Sequence, residues 1–350
     1  MSKLLINFPE NVMILDSTEF DVVNEFSMPF SYVTKLPKEG LLFNERDQGI
    51  IHQLMLNRES LEIETHSEGS HLPSHVIANA GRLAVFNDGD GRITVFTSPK
   101  ANQPTKLLFQ VQVPAHHGVA IPLQDGTILV STKEAGSEAA LGDRFVRLDE
   151  VGQVVKKYEA APAIHGETVV EYNGNLFAVM GAEAALNVYE EATDTVKVCA
   201  LPDDTTRSGM LVSENGNPWV MANYSTIADP MSNIGLILYN IENHTVYFVE
   251  VPSDYYFSYL VHQSKGYLIG KDGYLYEVDL ETQQVGRSQQ LWDSSSHDAD
   301  NEPRIAIDVS NQRLFITNPF ANEVLMVLLK EWSVSKVLKL EDCPNEIYYF

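Results

Sequence analysis

A chain of 350 residues with 44% hydrophobic and 21% charged side chains has ample apolar material for a folded core, which excludes intrinsic disorder. Its 48 acidic residues against 24 basic ones give a net charge of −24, which argues against nucleic acid as a partner, because phosphate contacts need clustered Lys and Arg; cations are drawn in instead. Cys199 and Cys343 lie far apart and form no C-x-x-C pair, so neither a thiolate metal site nor a disulfide framework is expected, at most a single bridge.

The chain opens with three strand-like runs, "SKLLINF", "NVMILDS" and "DVVNEFSM". The first holds a short apolar run before Asn7, too brief for the core of a signal peptide, and no later segment is long enough to insert into a membrane. The expected compartment on this ground is the cytoplasm if the chain is complete; a trimmed mature form is the other possibility. From Phe30 onward the sequence repeats itself. The units are "FSYVTKLPKEGLLFNE", "SHVIANAGRLAVFNDGDG", "HGVAIPLQDGTILVST", "HGETVVEYNGNLFAVM", "SGMLVSENGNPWVMAN", "FSYLVHQSKGYLIGKDG", "PRIAIDVSNQRLFITNP" and a truncated "PNEIYYF".

The residues that open the first strand of each unit are Ser31, His75, His117, His165, Ser208, Ser258, Arg304 and Asn345, at intervals of roughly 40–50 residues. That interval fits four strands per unit, and the runs that follow, such as "GLILYN", "YLYEVDL" and "TVYFVEV", alternate as strands do. Helical periodicity is absent. The last unit stops after one strand while three strands stand unassigned at the start. Residues 1–28 and 345–350 together make one blade, and pairing them removes the exposed sheet edges. The expectation is an all-β, single-domain β-propeller over residues 1–350, with eight blades closed by the N- and C-terminal strands, or seven if one division is wrong.

In a propeller the residues that open equivalent inner strands ring one end of the central channel. His75, His117 and His165 open three consecutive units, so their imidazoles are expected to converge. Three histidines are a common zinc set, with a carboxylate or water in the fourth position. Asp88, in "FNDGDGR", and Glu167, two residues beyond His165, are the candidate carboxylates. "NDGDG" lacks the twelve-residue pattern of a calcium loop and reads as a hairpin turn. "ETHSEGSHLPSH", Glu64 to His75, reads as a mobile loop whose His66 and His71 collect a metal and pass it inward.

At "HHGVAIPLQDGTILVS", "IHGETVV", "SHVIANAGRLAVFNDGDGRITVF" and "HDADNEPRIAIDVSNQRLFITNPFANEVLMV" the chain resembles the AztD family of periplasmic zinc chaperones, propellers that carry zinc to the solute-binding component of a zinc ABC transporter. The resemblance runs from about residue 60 to the C-terminus. It implies zinc held at His75, His117 and His165, with His116 a further candidate, and a His-rich acidic loop over Thr65 to Ser74. It also marks His297 and Asp300. It places the protein in the periplasm. Two features depart from the family: "APAI" stands where the family has a cysteine before "HGE", and the sequence carries no signal peptide.

Three functions follow as expectations. The first is a zinc metallochaperone, acting as a monomer, that binds and releases without chemistry and hands zinc to the transporter's solute-binding protein. The second is a zinc-dependent hydrolase or lactonase with Glu167 as general base to a zinc-bound water, though no nucleophile elbow, phosphate loop or HExxH motif accompanies it. The third is a metal-free interaction scaffold, which lacks the recurrent Trp-Asp and Gly-His signatures of WD repeats.

Overall fold

Apolar runs of five or six residues, each followed by a turn and a second run, leave this chain little choice but to build hairpins. The computed structural model describes residues 2–28, 32–36, 40–56, 61–66, 71–98, 105–293 and 301–350, and every regular element among them is a β-strand. Consecutive strands pair antiparallel, up and down, into sheets that follow one another along the chain.

Each sheet follows the same plan. In the one spanning Pro73–Asn79, Arg82–Asn87, Arg92–Thr97 and Leu107–Gln112, the two middle strands are buried over nearly their whole length, while the outermost alternates and is largely exposed. The middle strands are therefore covered on both faces, which is why they read as continuous apolar runs such as "RLAVFN" and "NLFAVMG". The covering comes from the neighbouring sheets. One core cluster joins Val170, Val179 and Val188 to Val220, Ala222 and Ile237 of the following sheet. A second joins Ile77 to Ile121, Phe145, Met180 and Tyr189. This succession of small antiparallel sheets, packed face to face, is the arrangement of a β-propeller.

The described residues form seven sheets, one of which has seven strands and runs from Ala120–Pro122 to Thr195–Ala200. Its middle is a single strand of 19 residues, Val154–Tyr172, where the sequence spacing predicts a new strand opening at His165. This strand changes partners on the way. Residues up to Ile164 pair with Gly142–Leu148, with a register shift between Gly142 and Arg144, whereas His165 onward pairs with Asn175–Gly181. Positive φ angles at Ala163 (56°) and Gly166 (69°) turn the backbone between the two pairings without ending the strand.

The chain ends meet in one sheet, ordered Val22–Ser27, Asn11–Asp16, Lys3–Asn7 and Glu346–Tyr349. Leu4 faces Tyr349, Leu5 faces Tyr348 and Ile6 faces Ile347, and the amides of Lys3 and Phe350 exchange hydrogen bonds of 2.8 and 3.0 Å. Ile347 packs with Leu4, Ile6, Ala306 and Phe315, so the last strand also ties this sheet to the one before it. Cys199 and Cys343 are both free thiols, so no disulfide assists.

Deleting residues 345–350 would uncover the edge of Lys3–Asn7 and empty part of this core. The expected result in a thermal melt is a midpoint lowered by at least about 5 °C; an unchanged midpoint would show that the terminal pairing contributes nothing.

Candidate metal centre

His75 lies in Pro73–Asn79, His117 stands just before Ala120–Pro122, and His165 lies in the second half of the long strand. Dozens of residues apart in sequence, their rings come together: the centroids of His75 and His117 are 4.7 Å apart, His117 and His165 4.9 Å, and His75 and His165 6.2 Å. Nε2 of His75 and Nε2 of His117 are 3.0 Å apart and hydrogen-bonded. Two nitrogens on one tetrahedral zinc at about 2.0–2.1 Å would stand about 3.3 Å apart. Among the described residues, no group of three His, Cys, Asp or Glu side chains has its donor atoms already gathered at a single point.

The back of each ring is held. Nδ1 of His75 is 2.7 Å from Oε2 of Glu167, Nδ1 of His117 is 2.7 Å from Oδ2 of Asp88, and Nδ1 of His165 donates to the Gly209 carbonyl at 2.9 Å. For His117 and His165 a hydrogen-bond acceptor on Nδ1 fixes the tautomer that leaves Nε2 free to coordinate, the arrangement that supports zinc-binding histidines, whereas His75 faces Glu167 as an ion pair whose Oε2 makes no hydrogen bond among the described residues. Asp88 and Glu167 therefore sit behind the rings and not in front of them.

The charges follow from these contacts. Burial raises the cost of ionising Asp88, but hydrogen bonds from His117, Ser74 and Arg46 outweigh it and hold the carboxyl at about 2. Burial opposes the cationic form of His75, and the Glu167 carboxylate more than compensates, so its pKa is raised. His165 has no carboxylate behind it. Burial first, then the neighbouring His117, His75 and Arg207, pushes it down to about 4, so it stays neutral.

The supporting parts come from other segments. Arg46 contacts Asp88 at 2.7 Å and donates to the carbonyls of Leu72 and Pro73, and Ser74 Oγ donates to Asp88 at 2.6 Å. "NDGDG" is a hairpin turn: Gly91 N–H reaches the Asn87 carbonyl and Asp90 accepts from Arg92 N–H. Asn223 Oδ1 accepts from the amides of Gly209 and Met210, which fixes the carbonyl that His165 uses. Arg46, Asn223 and Gly209 carried no sequence signal, because each lies in a different repeat from the imidazole it serves.

His116 is elsewhere. Its Nδ1 donates to the Pro114 carbonyl at 2.7 Å, its Nε2 faces Ser131 Oγ at 3.3 Å, and it packs edge-on against Phe86, so both ring nitrogens are occupied away from the trio. His71 is exposed and lies over Gly89, one residue from Asp88; a Cβ at Gly89 would fall 2.3 Å from its Nδ1. The side chain of His66, and the whole of His297 and Asp300, lie outside the described residues.

The zinc chaperone AztD of Citrobacter koseri is 23% identical over 287 residues, covering 79% of this chain. The chain resembles the AztD zinc chaperones. It spans 65% of the length of that curated relative. The structure of apo AztD from Citrobacter koseri superposes with a TM-score of 0.81 at 17% identity, covering 100% of this chain and 97% of AztD. A dihydro-heme d1 dehydrogenase, NirN, reaches a TM-score of 0.68 at 10% identity over 99% of this chain and 74% of its own. At these identities the superpositions establish the all-β propeller fold. No family model matches the chain. Among the described residues no helix is long and apolar enough to cross a membrane.

Gly166 and Gly209 permit the backbone approach that seats His165. Gly166 has φ of 69°, and a Cβ there would fall 1.9 Å from the Gly209 carbonyl oxygen; a Cβ at Gly209 would meet Nδ1 of His165 at 2.8 Å. Gly166→Ala should therefore cost about 1–3 kcal/mol of stability and disturb the His165 resonances in an NMR spectrum more than those of His244, which is bonded to Tyr239; His165 resonances left unmoved would refute the close approach.

Proposed function

We propose that this protein is a zinc chaperone that takes up the ion on Nε2 of His75, His117 and His165, holds it at the mouth of the propeller channel, and delivers it to the solute-binding protein of a zinc transporter. One observation carries the reading: three imidazoles from three repeats converge while each Nδ1 is engaged by Glu167, Asp88 or the Gly209 carbonyl. Isolated packing needs do not select the same residue three times at equivalent positions of three repeats. The relative named a zinc chaperone supports it.

Zinc replaces the proton shared by Nε2 of His75 and His117 and adds His165, which is already neutral; uptake is a substitution accompanied by proton release. The fourth position is left to water or to an incoming ligand, which suits a carrier that must let go. Asp88 and Glu167 orient and polarise the rings, in place of the direct ligation expected of them. Glu167 is committed to His75, which leaves it badly placed as a general base and favours carriage over hydrolysis. His116 serves packing. His71 and His66, the latter ending the strand Leu61–His66, exchange ligands with the site, and His297 and Asp300 share that transfer role.

The propeller is a monomer and a single domain over residues 1–350. It has eight blades, counting the seven-stranded sheet as two, with the last blade built from residues 1–28 and 345–350. Its compartment is the periplasm.

Zinc titration against a competing chelator tests the site. His75→Ala, His117→Ala and His165→Ala should each weaken binding by at least about 100-fold, Asp88→Asn and Glu167→Gln by about 10–100-fold, and His244→Ala not at all. Because protons compete for the same nitrogens, affinity should fall as the pH drops below the imidazole range; His75, raised by Glu167, loses out first and His165 last. Equal affinities in His165→Ala and His244→Ala would end the reading.

Transfer is tested separately. Replacing His66 and His71 with Ser should leave equilibrium zinc affinity within a few-fold and slow delivery to a chelator by about tenfold or more. Loss of high-affinity binding with unchanged transfer would make these histidines ligands and overturn the transfer role.

A further inference from the structure

Beside the imidazoles lies a cavity of about 740 Å³ that zinc carriage does not use. His117 and His165 form one wall. Leu141, Met210, Pro230, Met231 and Phe257 supply an apolar lining, and Arg207 supplies a cation. Volume and lining are those of a small-molecule site: mostly apolar, with few polar groups to orient a ligand.

Arg207 is the unusual member. In a protein of net charge −24, guanidinium groups find carboxylates easily, and Arg46, Arg147, Arg287, Arg304 and Arg313 are all ion-paired, while Arg82, which lacks a carboxylate, donates to the Gly126 carbonyl. Among the described residues no carboxylate lies within ion-pair distance of Arg207, although it is half-buried. Glu302, the carboxylate in the described lining, is held by Arg304 at 3.0 Å. Gly209 locates the guanidinium: a Cβ there would stand 2.8 Å from Nδ1 of His165 and 3.6 Å from Nη2 of Arg207, so ring and guanidinium flank the same glycine. A half-buried guanidinium without a counter-ion favours an anion with two oxygens in a plane. The apolar wall beside it asks that the rest of the ligand be apolar.

We infer that this cavity is a binding site for a small organic carboxylate, its carboxylate paired with Arg207 and its apolar body laid against Leu141, Met210, Met231 and Phe257. A bare inorganic anion leaves that wall in water, and a neutral apolar molecule leaves Arg207 unpaired. Occupancy brings a carboxylate close to His117 and His165 and so couples the contents of the cavity to the metal centre.

The test uses the full chain in its zinc-free form, so it stands whether or not zinc binds the histidines; a parallel zinc titration reports on that reading by itself. The probes are phenylacetate and its neutral isostere phenylacetamide, followed by calorimetry or ligand-observed NMR. Phenylacetate is expected to bind saturably and at least about tenfold more tightly than the amide. Arg207→Gln should weaken it at least about tenfold, with the melting midpoint and circular dichroism unchanged. Met231 is 64% exposed, so Met231→Glu tests the apolar wall without threatening the fold, and the added charge should also weaken the acid. Equal binding of acid and amide, undiminished binding in Arg207→Gln, or no saturable binding at millimolar phenylacetate would each overturn the proposal.

Discussion

Everything at the histidine cluster depends on the packing of one sheet against the next. A sheet with both faces covered by its neighbours must repeat the same geometry around an axis, so positions one repeat apart become neighbours in space. Val170 and Val179 pack on Val220 and Ile237 for this reason, and Ile77 packs on Ile121 and Phe145. The same operation brings His75, His117 and His165 within 6.2 Å of one another. The core buries the middle strands and, as a consequence, gathers the residues at the ends of the inner strands.

The electrostatics complete what packing begins. Three half-buried imidazoles this close would repel one another as cations. Each is resolved differently. His75 has the Glu167 carboxylate behind it, His117 has Asp88, and His165 has a carbonyl and stays neutral. Asp88 is in turn tied by Arg46, in the turn after Gly40–Glu45, and by Ser74, in Pro73–Asn79, so the acidity of one carboxyl rests on three segments of chain. The groups behind the rings hold them close together, although among the described residues no three donor atoms meet at a single point.

The apolar cavity shares one wall with the cluster, through His117 and His165. Arg207 contributes both to the low proton affinity of His165 and to the positive end of the cavity. Neutral imidazole and unpaired guanidinium are thus two effects of one arrangement, held by the turn at Gly209 that Asn223 clamps.

The strands were legible because their cause is local. Alternating and continuous apolar runs separated by turn residues dictate hairpins, and the terminal runs "SKLLINF" and "NEIYYF" are visibly short of partners within their own repeats. The convergence of His75, His117 and His165 was legible too, since a repeat carries equivalent residues to equivalent places. The continuity of Val154–Tyr172 was not: the turn that would have separated two strands is absorbed by positive φ angles at Ala163 and Gly166, and that depends on the partner strands. The direction of each side chain was also out of reach. His116 and His117 are adjacent in sequence, yet one is buried against Phe86 and the other faces the trio. Asp88 and Glu167 turn to the backs of the rings, because the Nδ1 groups they meet are presented by neighbouring repeats. Periodicity along the chain determines which residues share a ring; only the contacts between sheets decide which atom of each residue points inward, because those contacts join segments that no local pattern connects.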